Sequence, residues 1–302
     1  MINLELYRTF YWAAKEKNLS KAAERLFITQ PSVSHAIKQL EEGLSITLFH
    51  RGPKGVKLTE EGQLLYEHVE QALHYLESAE RIISETNDLL RGELRIGGGD
   101  SLIKYYLLPH LKNFNNDHPQ VQLNLAHGTT AEIIRQVKEG RIDFGIIRLP
   151  LFDESLVAIE AITVQDCFVA GPKFAQLADQ PMSLKELQKY PLILFTKTST
   201  SRRFIQDFAA SLGLVLEPEI ELASVDLLIE FAKAGMGVSF VTKQFVHKEL
   251  ENGSLVELKL TDNIPSRNVG IIFLKNKRLS PATKMFIQRY LNVNLNQETP
   301  ST

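Results

Sequence analysis

The sequence predicts an α/β protein in three successive parts. These are an all-α winged helix-turn-helix over residues 1–58, one long helix over 59–90, and a two-lobed α/β region over 91–302. Three observations carry this reading. Residues 19–40, LSKAAERLFITQPSVSHAIKQL, hold two short helices joined by a tight turn. From Leu65 onward apolar side chains recur at alternating spacings of four and three, the period of a two-helix seam. After Glu93 short apolar runs alternate with amphipathic stretches, as in a sheet wound with crossover helices.

Asn3 is placed to cap a first helix whose Leu6, Phe10, Ala13 and Ala14 form one stripe and which ends near Lys17 and Asn18. Ser20 is the expected cap of a second helix, in which Ala22 and Ala23 lack the bulk to keep a crossing helix away. Leu26, Phe27 and Ile28 are expected to bury the connection. Thr29 or Gln30 then caps a third helix, with Pro31 in its first turn where a missing N–H costs nothing. Val33, Ile37, Leu40 and Leu44 share a narrow arc of that helix, which marks its packed face. Its free face carries Pro31, His35 and Lys38, flanked by Ser34 and Gln39, with Gln30 and Ser32 in the first turn. Such hydroxyl, amide, imidazole and ammonium groups bond base edges and phosphates. A helical hairpin with a solvated face would show the same periodicity, so the neighbours must decide.

SITLFHRGPKGVKLT reads as strand, turn, strand, with Ile46, Leu48 and Phe49 on one arm and Val56 and Leu58 on the other. Arg51, Lys54 and Lys57 decorate this wing and suit phosphates or a minor groove; a solvated basic turn is the plainer alternative. Thr59 caps the long helix, with Glu60 and Glu61 favourably placed against its dipole. Leu65, Val69, Ala72, Leu76, Ala79, Ile83, Thr86 and Leu90 make its seam. A helix of about 28 residues is roughly 40 Å long and cannot bury that stripe alone. Pairing with a second copy is expected, against the alternative of packing on its own domain.

Composition narrows the class. Of 302 residues, 44% are hydrophobic and 23% charged, as in a soluble globular protein of about two domains. No apolar run is long enough to span a bilayer, and the first residues lack the pattern of a signal peptide. With one cysteine, Cys167, no internal disulfide can form, which fits a cytoplasmic setting. Residues 1–60 hold nine Lys or Arg against six Asp or Glu, so this segment carries +3 while the remainder carries −5. Nucleic-acid binding must then rest on the motif and on dimerisation rather than on bulk charge.

KAAERLFITQPSVSHAIKQLEEGLSITLFHR followed by KLTEEGQ resembles the N-terminal signature of the LysR-type transcriptional regulators. Ala22 and Ala23, Gln30-Pro31-Ser32, Ser34, Leu40-Glu41, Leu48-Phe49, Arg51 and Leu58-Thr59 all sit at that family's spacing, and the layout matches over nearly the whole chain. One departure is Ser45, where the family usually has Gly; here Gly stands two residues earlier, at Gly43. The resemblance implies a winged helix-turn-helix, a dimerising linker helix and an effector-binding region of two α/β lobes, often in a tetramer of two dimers.

The C-terminal residues agree with that layout. ELRIGGG, VQLNLAHG and IDFGIIR read as strands, separated by the helices LIKYYLLPHLKNFNND and TTAEIIRQVKEG. The pattern recurs in DCFVAG, LILFTK, SRRFIQDFAASLG, LEPEIELA, VDLLIEFAKAG and GVSFVT. Two such halves with a ligand between them resemble a periplasmic binding protein, with lobe I over 91–162 and 267–292 and lobe II over 163–266. NVGIIFLK and the helix around PATKMFIQRYL return to lobe I, and the last ten residues form a tail.

Open α/β sheets bind ligands at the carboxyl ends of strands, beside helix N-termini. Three such ends carry small hydroxyl residues: Asp100-Ser101, Thr129-Thr130 and Ser199-Thr200-Ser201 with Arg202. The resemblance implies that Ser101, Thr129, Ser199 and Ser201 touch a small effector. Hydroxyl donors with an arginine suggest a carboxylate or a sulfate-like anion, although helix capping explains the same side chains. Gly99, Asp100 and Arg148, just after a buried strand, complete the candidate set; Asp100 would repel a second negative charge. The run Gly97 to Gly99 reads as room for a ligand or a sharp turn. Catalysis finds little support, because the eight histidines lack metal-ligand spacing and the glycine run lacks a dinucleotide or phosphate-loop pattern.

The expectation is therefore a cytoplasmic bacterial transcription regulator, not an enzyme, with no cofactor or metal beyond its effector. Its partners are inverted-repeat promoter DNA, further copies of itself as homodimer or homotetramer, a small-molecule effector and RNA polymerase, with no membrane. The alternative is a solute-binding or enzymatic α/β module carrying an N-terminal interaction domain.

Overall fold

The computed structural model describes residues 2–52, 55–86 and 92–295. The chain divides into two compact units, one of Met1–Ser84 with Glu139–Arg141 and the other of Glu85–Lys138 with Ile142–Thr302. The first begins with α1 (Leu4–Glu16), where the Asn3 side chain accepts from the Glu5 amide. The second helix, α2 (Leu19–Leu26), starts earlier than Ser20 predicts: Asn18 caps it, its Oδ1 accepting from Ser20 and Lys21 amides. The third, α3 (Gln30–Leu44), is capped by Thr29 and carries Pro31 in its first turn. Val33, Ile37 and Leu40 of α3 are fully buried in one core with Phe10, Ala13 and Ala22.

The connection between α2 and α3 is not buried as the apolar run LFI suggests. Leu26 is half-buried, but Phe27 is 96% exposed and Ile28 42%. Phe27 closes α2 in the left-handed region (φ 55°), so its ring turns outward. Backbone hydrogen bonds from Phe27 and Ile28 amides to Glu24 and Ala23 carbonyls hold the turn instead.

The wing is β1 (Phe49–Gly52) and β2 (Gly55–Leu58), antiparallel with Phe49 opposite Leu58 and Arg51 opposite Val56. Ile46 precedes the strand and is exposed, while Leu48, Phe49 and Val56 enter the core. Next comes α4 (Glu60–Thr86). The Thr59 hydroxyl accepts from the Gly62 amide and donates to the Thr47 carbonyl, so it caps α4 and ties it to the wing. Gly62 is required there, because a Cβ would lie 2.2 Å from the Leu48 carbonyl oxygen. The seam of α4 divides in two. Val69 is buried and Leu65 half-buried within the helix-turn-helix core, whereas Ala72, Leu76, Ala79 and Ile83 are exposed. Leu90 lies outside the described residues.

In the second unit, β3 (Glu93–Gly98) leads into α5 (Asp100–Leu102), which runs through a π-helical turn, Ile103–Leu107, into α6 (Leu108–Asp117). Then come β4 (Gln122–His127), α7 (Thr130–Lys138), β5 (Phe144–Arg148) and β6 (Leu156–Val164). Lobe II holds β7 (Asp166–Ala170), α8 (Leu184–Leu187), β8 (Leu192–Phe195), α9 (Thr200–Ser211) and β9 (Ile220–Leu222). It continues with α10 (Val225–Lys233), β10 (Val238–Thr242), α11 (His247–Glu251) and β11 (Val256–Leu258). The chain returns to lobe I in β12 (Arg267–Leu274) and α12 (Pro281–Met285).

The sheets are ordered β4-β3-β5-β12-β6 and β11-β7-β10-β8-β9. Neither is purely parallel, as strand–helix alternation alone suggests. In lobe I, β12 lies antiparallel between β5 and β6; in lobe II, β7 is antiparallel to β10. The cause is the way the chain changes lobes. It leaves by β6 and re-enters by β12, and these two pair side by side, Arg267 opposite Val164. The strand β6 itself has no counterpart in the sequence reading. Gly97 and Gly98 are not room for a ligand either: a Cβ at Gly97 would lie 2.4 Å from Ile142 Cδ1 and one at Gly98 2.7 Å from Ile146 Cγ2, so both glycines admit core side chains.

Ser45 ends α3 in the left-handed region at φ 56°, a conformation that costs a non-glycine residue about 1 kcal/mol. Ser45→Gly is expected to stabilise the first unit by roughly that amount, read as a higher denaturation midpoint of fragment 1–84; an unchanged or lower midpoint would show the capping serine to be unstrained.

Candidate DNA-contacting face and effector cleft

The free side of α3 presents what the sequence places there. Thr29, Gln30, Pro31, Ser32, His35, Lys38 and Gln39 are exposed and Ser34 is half-buried. Gln30 Nε2 donates to Ser34 Oγ at 3.0 Å, and the Thr29 and Ser32 hydroxyls share a hydrogen bond at 2.8 Å. These groups are thus partly ordered in the free protein. Lys38 approaches Glu42 at 3.5 Å with both side chains mostly in water, a contact that contributes little and leaves the ammonium free to exchange. On the wing, Lys57 is exposed in β2, Arg51 lies in β1, and Lys54 lies outside the described residues. Sequence reasoning gave no structural role to Glu41. Its Oε1 accepts from the Leu48 amide at 2.7 Å and the Phe49 amide at 3.4 Å, fastening the end of α3 to the root of the wing.

In the second unit the strand register sets Gly98 beside both His127 and Ile146, so Gly99, Asp100, Ser101, Thr129 and Arg148 follow neighbouring strand ends. Gly99 precedes α5 with no side chain to cap it. Asp100 is exposed, 3.1 Å from His127 Nδ1, and Ser101 is half-buried. Thr129 is exposed, and its hydroxyl and amide both donate to Glu132 Oε2, which makes a capping arrangement. Ser199 caps α9 through the Ser201 amide. Arg202 is buried but serves lobe II: it donates to the Phe195 carbonyl and Glu221 at 2.9 Å and to Gln206 at 3.1 Å.

Arg148 differs from these. Its side chain is only 10% exposed; Nη2 donates to Thr242 Oγ1 at 2.6 Å, while Nη1 meets no protein acceptor and stands 4.0 Å from Asp166 Oδ1. Burial brings its pKa down to about 10 against the pull of Asp166. Asp166 accepts from Thr242 at 2.7 Å and forms an ion pair with Arg267. Arg267, 7% exposed, also donates to Ser201 Oγ at 3.3 Å and lies over the Phe204 ring at 4.2 Å, and its Nε finds no protein partner. Burial lowers its pKa too. The predicted Arg148 and Ser201 thus meet through Asp166, Arg267 and Thr242, which sequence reasoning missed. The available signal was a charged residue heading an otherwise apolar strand, in DCFVA and in RNVGIIFL.

A second contact joins the lobes. Asp226 in the first turn of α10 accepts from Lys104 Nζ at 2.6 Å and Tyr105 Oη at 2.7 Å, and the Tyr105 ring stacks on Phe245 at 4.8 Å. The Lys104 hydrogen bond, then that of Tyr105, hold the Asp226 carboxyl below the usual carboxylate range. Burial and Asp226 push the Tyr105 phenol up to about 12. Elsewhere Cys167 is buried in β7, and burial raises its thiol pKa. Among the described residues no helix is long and apolar enough to cross a membrane, and no group of three His, Cys, Asp or Glu side chains is placed to hold a metal.

A helix-turn-helix with a free polar face, a long helix and a two-lobed α/β region define a DNA-binding regulator with a region for a small ligand. The chain matches the family model of the LysR substrate binding domain over residues 87–294, and that of the bacterial regulatory helix-turn-helix protein, lysR family, over residues 4–63. It belongs to the LysR family of transcriptional regulators. Among curated relatives it is 28% identical to the HTH-type transcriptional regulator CysL of Bacillus subtilis, over 93% of this chain and 99% of that one. It is 26% identical to GltR, a regulator of the same organism, over 95% of each. Among solved structures it resembles a full-length, singly substituted OxyR from Pseudomonas aeruginosa, with TM-score 0.72, 18% identity and coverage of 100% of this chain and 99% of that one. It also resembles full-length CbnR complexed with its target DNA, with TM-score 0.69, 18% identity and coverage of 96% and 99%.

Because the folded pKa of Asp226 is depressed, the Lys104–Asp226–Tyr105 clasp contributes stability above about pH 4 and loses it as pH falls through that depressed value. The melting-temperature gap between wild type and Asp226→Asn should therefore be largest near neutral pH and shrink in acid. A gap independent of pH would mean that the ionised carboxylate does not make the clasp.

Proposed function

We propose that two copies pair along the exposed half of the α4 seam, that pairs associate into a tetramer, and that the α3 helices enter successive major grooves of an inverted-repeat promoter site. A small anion bound between the lobes changes the balance between two arrangements of the subunits, and with it the bend of the DNA and the access of RNA polymerase. The observation that carries the anion is the Arg148 guanidinium, nine-tenths buried at a strand's carboxyl end with Nη1 unpartnered. Carboxylates and sulfate-like ions have the acceptors to meet it. Support for DNA as the partner comes from the free face of α3 and from the likeness in fold to CbnR, which is solved with its target DNA. Exposed Ala72, Leu76, Ala79 and Ile83 support the pairing, since a lone helix keeps such a face in water at a cost.

Substitutions at the DNA end should separate base reading from phosphate contact. His35→Ala is expected to weaken binding to the duplex upstream of the protein's own coding region by about 1–3 kcal/mol with little effect on random DNA, and Lys57→Ala to weaken both alike. Gel shifts on the two duplexes at two salt concentrations measure this, and equal losses on both for His35→Ala would remove it from base readout. At the ligand end, Thr129→Val and Ser201→Ala should remove the effector's influence on DNA binding while leaving effector-free affinity unchanged. An unaltered dose-response in both variants would place the effector elsewhere.

A further inference from the structure

We propose that Arg148, Asp166 and Arg267 form a charge-selective seat at the junction of the lobes, in which Asp166 is a built-in counter-ion and the two unmet guanidinium donors take one monovalent anionic group. This rests on the reading of the cleft as an anion site and specifies which anions it takes. The three ionised side chains together carry a net charge of +1, and they are all nearly excluded from water. A single positive charge in such surroundings is balanced by one negative charge, whereas a divalent anion would replace an excess of one sign by an equal excess of the other. The hydrogen-bond inventory points the same way. Arg148 Nη1 and Arg267 Nε are buried donors with no protein partner, and leaving a charged donor unmet in the interior is costly. Two unmet donors on two guanidiniums match the two oxygens of one carboxylate or of nitrate.

Position adds regulation to selectivity. Arg148 ends β5 of lobe I, Asp166 opens β7 of lobe II, and Arg267 begins β12, where the chain crosses back. Thr242 of β10 bridges the first two, accepting from Arg148 and donating to Asp166. The contacts of Arg148 with Thr242 and of Arg267 with Asp166 and Ser201 thus join the lobes at this cluster. A monovalent group seated on both arginines competes with Asp166 for them and so acts on the lobe junction directly.

The test is calorimetric titration of the full-length protein with nitrate and with sulfate at constant ionic strength. Wild type should bind nitrate saturably and at least tenfold more tightly than sulfate. Asp166→Asn, which raises the cluster charge to +2, should reverse that order. The double variant Asp166→Asn/Arg267→Gln, back at +1, should restore it, and comparison of these variants by circular dichroism keeps loss of fold apart from loss of binding. If wild type prefers sulfate, or if Asp166→Asn leaves the order unchanged, the counter-ion role is wrong. Arg148→Gln separates this from the broader reading: if it abolishes binding of both anions while the Asp166 variant does nothing, an anion site remains and only the charge rule falls. Absence of saturable binding of either anion to any variant would overturn both.

Discussion

A polar helix face can meet a duplex only if the opposite face is held still, and Val33, Ile37 and Leu40 do that for α3. All three are fully buried, and their burial contributes about 5–9 kcal/mol in transfer free energy. The neighbours are arranged around that underside. Ala22 and Ala23 are small enough to let α2 approach, Phe10 and Leu48 fill the space between helices and wing, and the Glu41 carboxylate fastens the helix end to the strand that follows. Because the anchoring is apolar and complete, the outer side is spared any structural duty. Gln30, Ser32, His35 and Lys38 are free to be chosen for what they contact.

The second unit solves a different problem, that of keeping charge in a place from which water is largely excluded. Each lobe has its own apolar faces, and one cluster runs from Leu94, Ile96 and Phe144 of lobe I to Val169, Ile193 and Leu228 of lobe II. Apolar packing of this kind is insensitive to what dissolves in the surrounding water. The junction also carries ionised groups: Arg148, Asp166 and Arg267 in the interior, and Lys104 with Asp226 nearer the surface. Burial depresses both arginine pKa values while Asp166 acts in the opposite direction. In the proposed function, fold stability and ligand sensitivity fall to different residues.

Much of this was legible in the sequence because its signals are local. Hydrophobic period marks α1, α3, α4 and the strand–helix alternation, and the Gln30-Pro31-Ser32 turn opening α3 is a short-range pattern. What was not legible depends on partners distant along the chain. Phe27 looks like a core residue by composition, but a left-handed backbone turns it outward, and no apolar count foresees that. Asn18 rather than Ser20 caps α2, because capping is decided by which side chain reaches the free amides. Ser199 and Thr129 read equally well as ligands or caps, and in the free protein they act as caps. Asp166 and Arg267 meet only because β6 and β12 pair across about a hundred residues of intervening chain, which no periodicity encodes.

A ligand moves an equilibrium only by the difference in its affinity for the two states, and a shift from 1:99 to 99:1 needs about 5.5 kcal/mol of difference. Contacts to one lobe alone supply none of it, since they are the same whether the lobes are near or apart. Arg148 and Arg267 stand on neighbouring strands of the lobe I sheet, but their contacts to Thr242, Asp166 and Ser201 cross to lobe II, and an anion that draws the guanidiniums away from these partners acts on the junction. Charge-assisted hydrogen bonds contribute about 1.5–3 kcal/mol each. Two such contacts across the junction, made in one arrangement and not in the other, are worth about 3–6 kcal/mol, which is the size required. In the proposed seat one bound charge meets the two donors that the free protein leaves unmet, and so bears on these junction contacts.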